Sequence, residues 1–133
     1  MEDELITFPT AKLAKEKGFN WEVYGEYWFD DEENTWIENT NYAMPCFYNN
    51  NSKGHNYISA PTQSLLASWL RLTFDYHIYC VPYGKDLWEV NICTSDVTWN
   101  VKNHLCYDIL ARDNYKTYEE AMEIGLVQAL KLI

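Results

Sequence analysis

Apolar and polar positions change their spacing along the chain, and each change marks a predicted element. Within residues 61–74, apolar side chains recur at helical spacing, at Leu65, Leu66, Trp69 and Leu70. Such a stripe is typical of a helix that packs one face against a core. Ser59 can cap this helix and Pro61 suits its first turn. We therefore predict a helix near 60–74, with Trp69 as a core anchor.

Two further helices are predicted, one at each end of the chain. Near the N-terminus, Pro9 suits a first helical turn and Gly18 suits the position after a helix end, which indicates a helix near 9–17. At the C-terminus, helical spacing and the Thr117–Glu120 capping box predict a helix near 118–132. Gly125 lies on the apolar face of this helix, so we expect a close approach by another element there.

Strand-like alternation occurs in two segments, each with a turn signal in its middle. The segment "NWEVYGEYWFDDEENTWIEN" predicts a hairpin that turns at its acidic residues. The segment "HIYCVPYGKDLWEVNIC" predicts a second hairpin that turns at 84–86. If residues 80 and 90 oppose each other, Cys80 faces inward and Cys93 faces outward. A short strand is expected at 46–48, and one or two more strands are expected within 97–110.

These elements predict an α+β fold with an antiparallel sheet of about four to six strands covered by the three helices. Their order is helix, hairpin, helix, hairpin, helix. The sequence P-T-x-x-L occurs at 9–13 and again at 61–65, and either a duplication or convergent helix starts explains this echo. The length of 133 residues predicts a single domain over 1–133.

Charge is concentrated near the N-terminus. The whole chain has a net charge of −10, and residues 1–38 hold eleven acidic side chains against three lysines, a net charge of −8. Such a surface repels duplex nucleic acid and favours a protein partner with a basic surface, although solubility also explains it. Six tryptophans also exceed the needs of a small core. The candidate partner-binding residues are Asp30, Asp31, Glu32, Glu33 and Trp36.

No motif of a known catalytic class occurs in the chain. It contains no nucleophile elbow, zinc-protease helix or phosphate-binding glycine loop, and its four cysteines include no C-x-x-C pair. We therefore predict a non-enzyme without cofactor or metal site. The acidic start of the sequence lacks a secretory pattern, and no run of 18 apolar residues occurs. These features favour a cytoplasmic location, reduced thiols and no membrane partner.

A small-molecule site is the alternative to a protein interface. The start of the central helix offers N–H groups that can bind an anion, such as a nucleotide. The candidate residues around it are Lys53, His55, Ser59, Thr62 and Gln63. Capping chemistry alone also explains the serine and the threonine.

The segments "NYISAPTQSLLASWLR" and "YEEAMEIGLVQALKLI" resemble a group of small uncharacterised proteins of gut anaerobic bacteria and their bacteriophages. The resemblance covers residues 57–79 and 115–133, and it implies a phage or mobile-element origin without implying an activity. With the acidic surface, it predicts an accessory protein that binds a host or phage protein, for which counter-defence is one role. A nucleotide-sequestering protein and a virion component are the alternatives.

Overall fold

The computed structural model describes residues 3–39, 50, 57–94 and 115–133. Three helices and five strands lie within these residues, in the order α1 (Phe8–Glu16), β1 (Gly25–Asp30), β2 (Thr35–Asn39), β3 (Tyr57–Ala60), α2 (Gln63–Phe74), β4 (Tyr76–Gly84), β5 (Leu87–Thr94) and α3 (Tyr118–Lys131). The chain divides into two compact units, Met1–Thr62 and Gln63–Ile133. The α+β class is confirmed, and the single-domain assignment stays a prediction.

The first unit is built on a three-stranded antiparallel sheet in the order β2-β1-β3. Phe29 opposes Trp36 across β1 and β2, and these side chains share a face with Tyr27. The ring of Phe8, at the start of α1, lies 5.4 Å from that of Tyr27 and 5.1 Å from that of Trp36. The Tyr27 hydroxyl also donates to the carbonyl of Ile6 at 2.9 Å. Aromatic packing therefore holds α1 on this face of the sheet.

The end of α1 is fixed by a Schellman motif, as the glycine in the sequence predicted. Gly18 has a φ of 92°, its N–H bonds the carbonyl of Lys15, and the N–H of Phe19 bonds the carbonyl of Ala14. The Lys15 ammonium donates to the carbonyl of Tyr57 in β3. Burial lowers the pKa of this ammonium because desolvation disfavours its charged form.

The second unit contains the β4–β5 hairpin, whose register is the one that the sequence predicted. Cys80 opposes Val90, and His77 opposes Cys93. Alternation therefore places Cys80 and Cys93 on opposite faces, and neither forms a disulfide. Asp86, at the turn, has a φ of 55°.

Helix α3 packs on the face of the hairpin that carries Cys80. A Cβ at Gly125 would lie 2.5 Å from Cγ2 of Val90 and 2.8 Å from Cγ2 of Ile78, so only glycine allows this approach. The start of α3 is capped by Thr117, whose Oγ1 accepts from the N–H of Glu120 at 3.1 Å. The capping box and the close approach at Gly125 are both confirmed.

The predicted start of α2 is wrong. Residues 57–60 form a strand rather than a loop and the first helical turn, and α2 begins at Gln63. Pro61 disfavours a helical conformation in the residue before it, which keeps Ala60 extended and able to pair with Gly25 in β1. Ser59 consequently cannot cap the helix. The buried stripe at Leu66, Trp69 and Leu70 is confirmed.

The strands do not form one sheet. Among the described residues, five strands are divided between a three-stranded sheet and the two-stranded β4–β5 sheet, instead of one sheet of four to six strands. Backbone pairing of Trp88 with Tyr115, with a 2.9 Å bond from the N–H of Trp88, extends the edge of β5. The strands predicted at 46–48 and within 97–110 lie outside the described residues. None of the helices in the described parts is long and apolar enough to cross a membrane.

Replacement of Gly125 by alanine tests the packing of α3 on the hairpin. The added methyl group collides with two β-branched side chains, and overpacking of about 1–3 kcal/mol exceeds the gain in helix propensity of about 1 kcal/mol. We expect Gly125→Ala to lower the free energy of unfolding by about 1–2 kcal/mol in urea titrations. Gln128→Ala, at a partly exposed position of α3, is the control and should change it by less than about 0.5 kcal/mol. Equal effects of the two changes would contradict the close contact.

Candidate functional site

The acidic turn between β1 and β2 has a defined backbone conformation. Asp30 pairs with Thr35 at the end of the hairpin, and its Oδ1 accepts from the N–H of Glu32 at 2.9 Å and from the N–H of Glu33 at 3.3 Å. Asn34 completes the turn with a φ of 51°. Side-chain bonding of this kind is the reason that aspartate and asparagine favour turns. The backbone of the turn is therefore organised by Asp30.

The carboxylates of this turn face solvent. Asp31, Glu32 and Glu33 are all exposed, and none of them forms an ion pair with a residue in the described parts of the chain. Three adjacent negative charges create a local negative potential at the tip of the hairpin. This arrangement can attract a cationic surface.

Trp36 occupies a different position from the one expected of a partner-binding residue. Its ring lies 5.1 Å from that of Phe8 and 5.5 Å from that of Phe29, and it is half-buried against α1. The exposed tryptophan of this hairpin is Trp28, at 38% exposure, which opposes Ile37 on the other face of the sheet. Strict alternation from the buried Tyr27 would have identified Trp28 in the sequence.

The residues predicted around the central helix differ in their structural settings, and their assignment to a ligand site stays a prediction. Lys53 and His55 lie outside the described residues. Ser59 belongs to β3, where its N–H donates to Oδ1 of Asn50 at 2.9 Å, and Thr62 forms an isolated backbone bridge with Leu5. Gln63 belongs to the second unit and begins α2. Each of the three described residues therefore has its own structural setting.

Gln63 connects two helices. Its side-chain amide is buried, and Nε2 donates to the carbonyl of Glu119 at 2.9 Å and to Oε2 of Glu123 at 3.1 Å. These bonds join the first turn of α2 to the first half of α3. The amide thus has a structural function, which the helical pattern alone did not predict.

Asn50 is a buried polar residue that the sequence analysis missed. Its Nδ2 donates to the carbonyl of Phe19 at 2.8 Å, while its Oδ1 accepts from Ser59 in β3. One amide therefore joins the chain after α1 to the sheet. Its position among several neighbouring asparagines gave no signal of this function.

A second cluster of chemical interest lies on the outer face of the β4–β5 hairpin. Nε2 of His77 is 2.9 Å from Oδ1 of Asp75, and the His77 ring is nearly parallel to that of Tyr79, with centroids 6.5 Å apart. Asp75 adopts a φ of 61° between α2 and β4. Cys93 opposes His77 in the register. A pairing of residues 80 and 90 already implies from the sequence that residues 77 and 93 are opposite.

The two described cysteines differ in environment. Cys80 lies on the inner face against the buried cluster that includes Val90 and Ala121, and burial raises the pKa of its thiol to about 12. Cys93 lies on the other face, beside His77. No group of three or more His, Cys, Asp or Glu side chains within the described ranges is arranged to hold a metal ion.

Comparison of the chain with protein-family models, with curated proteins and with solved structures found no match in any of the three. The functional argument therefore depends on the geometry of the described residues.

Replacement of Ser59 by alanine distinguishes the strand position from a helix cap. The Ser59 hydroxyl is fully buried and has no hydrogen-bond partner among the residues that the structure describes, a condition that costs about 1–3 kcal/mol. Its removal should therefore leave the free energy of unfolding unchanged or raise it by up to about 2 kcal/mol, whereas loss of a helix cap would lower it by about 1 kcal/mol. Thr117→Ala, which removes the observed cap of α3, is the control and should have a lower free energy of unfolding. A similar loss in both variants would refute the assignment of Ser59 to β3.

Proposed function

We propose that this chain is a small, acidic, non-enzymatic accessory protein that binds a basic surface of another protein through the β1–β2 hairpin. The observation that carries the proposal is the turn after Asp30, whose three exposed carboxylates have no ion-pair partner among the described residues. The sequence resemblance supports a phage or mobile-element origin. The partner is then a host or phage protein.

The charge distribution supports association by electrostatic attraction. Residues 1–38 carry a net charge of −8 out of −10 for the chain, and the hairpin presents its share at an exposed tip. A one-signed patch of this kind raises the rate of encounter with an oppositely charged partner by about 10- to 1,000-fold, and salt screens the effect. Rim charges act mainly on association, so stable binding also needs a buried apolar contact.

Trp28 can supply the apolar contact beside these charges. Its side chain is 38% exposed, and Glu26 and Asp30 lie two positions away on the same face of β1. Tryptophan contributes strongly at protein interfaces because it buries a large area, and its ring also attracts cations. We therefore assign the steering function to the turn and the contact function to Trp28.

Neutralisation of the turn tests the proposed function. In the variant Asp30→Asn, Asp31→Asn, Glu32→Gln and Glu33→Gln, residue 30 keeps an oxygen that can accept the two backbone bonds, so the fold should be preserved. Partners are first captured from bacterial lysate with the wild-type protein, and association is then measured by surface plasmon resonance over a range of salt. We expect the association rate at low salt to fall by about tenfold or more and its salt dependence to flatten.

The matched control removes four charges elsewhere in the same unit. Asp3, Glu4, Glu16 and Glu22 are exposed and lie outside the β1–β2 hairpin, so their replacement by asparagine or glutamine alters net charge equally. This control should retain most of the association rate. Equal losses of association rate in both variants would show that net charge alone causes the effect, and would contradict a specific interface at the turn. The small-molecule alternative would be favoured if the turn variant kept the wild-type association rate while Thr62→Ala lost binding to a metabolite released from the purified protein.

A further inference from the structure

The outer face of the β4–β5 hairpin brings together a thiol, an imidazole and a carboxylate. Directly opposed residues of antiparallel strands have Cβ atoms about 4.5–5.5 Å apart, so the side chains of His77 and Cys93 are immediate neighbours. The Asp75 carboxylate lies 2.9 Å from Nε2 of His77. Nδ1, the second ring nitrogen of His77, is the atom that would accept a proton from the thiol. The cluster belongs to the second unit and the acidic hairpin to the first, and the inference is independent of the proposed function.

We propose that Cys93 is a site of reversible covalent modification by small-molecule disulfides, with His77 as the base that accepts its proton. The Cys93 thiol transfers a proton to His77, and the resulting thiolate attacks one sulfur of the disulfide. The disulfide S–S bond breaks as a new S–S bond to Cys93 forms. The second sulfur leaves as a thiolate and takes up the proton from His77, so no further oxidant or reductant is needed.

Two contacts prepare His77 for this reaction. The Asp75 carboxylate can accept a hydrogen bond from Nε2 of His77 and thereby orient the ring, as a carboxylate does for histidine in many active sites. The nearly parallel ring of Tyr79, with an interplanar angle of 11°, lies next to His77 along the strand. A thiol beside a protonated histidine is more acidic than an ordinary cysteine and is therefore more reactive at neutral pH.

The same hairpin contains an internal comparison for this chemistry. Cys80 lies on the inner face, is partly buried, and has a thiol pKa raised to about 12. Very little of it is thiolate at neutral pH, so it should react slowly. A difference in reactivity between Cys93 and Cys80 within one molecule cannot come from differences in concentration, oxidant or handling.

The test measures mixed-disulfide formation with oxidised glutathione at pH 7.5. The full chain is reduced, treated with the probe for increasing times, and digested, and the modified peptides are quantified by mass spectrometry so that each cysteine has its own rate. We expect Cys93 to react at least about tenfold faster than Cys80. His77→Ala should slow Cys93 severalfold because the thiol loses the group that accepts its proton, and free imidazole should restore part of the rate. Cys80 should not respond to either change.

Two further variants complete the test. Asp75→Asn keeps a residue that tolerates the left-handed conformation but removes the charge, so it should slow Cys93 by a smaller factor than His77→Ala. Glu89→Gln removes a charge from the same face of β5 and should leave the Cys93 rate unchanged. If Cys93 reacts no faster than Cys80, or if neither His77→Ala nor Asp75→Asn slows it, the proposal is overturned. If Cys80 reacts faster in His77→Ala than in the wild-type protein, that variant is unfolded, and the result for Asp75→Asn decides the outcome.

Discussion

The close approach of α3 to the β4–β5 hairpin at Gly125 is the constraint on which the packing of residues 76–94 against residues 118–131 depends. Val90 and Ile78 occupy the space that a side chain at residue 125 would need, so the helix and the hairpin can pack in this way only at a glycine. Because strand side chains alternate between faces, the packing of one face on the helix determines which side chains lie on the other face. His77 and Cys93 lie on that other face, where the strand register pairs them.

A comparable division exists in the first unit. Tyr27, Phe29 and Trp36 are used to hold α1 through aromatic contacts, so this face of the β1–β2 hairpin is a structural one. The opposite face presents Trp28, and the turn after Asp30 presents the charges. In both hairpins, one face stabilises the unit and the other is available for chemistry or binding. The two proposals of function arise from the two outward faces.

The sequence predicted the elements whose signals are local or periodic. The apolar stripe around Trp69, the Thr117 cap and the Gly18 helix end depend on side chains within a few residues, and all three are present. The hairpin pairing of Cys80 with Val90 was also predictable because alternation and the turn set the register.

The missed features depend on contacts between distant residues. The segment Tyr57–Ala60 is buried at all four positions, so it lacks the alternation that identifies a strand, and it precedes a proline that also suits a helix start. The side-chain amide of Gln63 bonds to Glu119 in another helix, and that of Asn50 bonds to Phe19. Both pairs are more than thirty positions apart in the sequence, so no local pattern predicts them. The pairing of His77 with Cys93 could be predicted only by applying the hairpin register to polar as well as apolar residues.

The central claim is that the register of the β4–β5 hairpin divides it into a structural face, which packs on α3, and a chemical face, which carries His77 and Cys93. Nuclear Overhauser effects measured by NMR on the isotope-labelled protein test this most directly. The account predicts cross-strand contacts between His77 and Cys93 and between Cys80 and Val90, with methyl groups of Val90 and Ile78 close to the α protons of Gly125. A register shifted by one residue would move Cys93 away from His77 and would contradict the account.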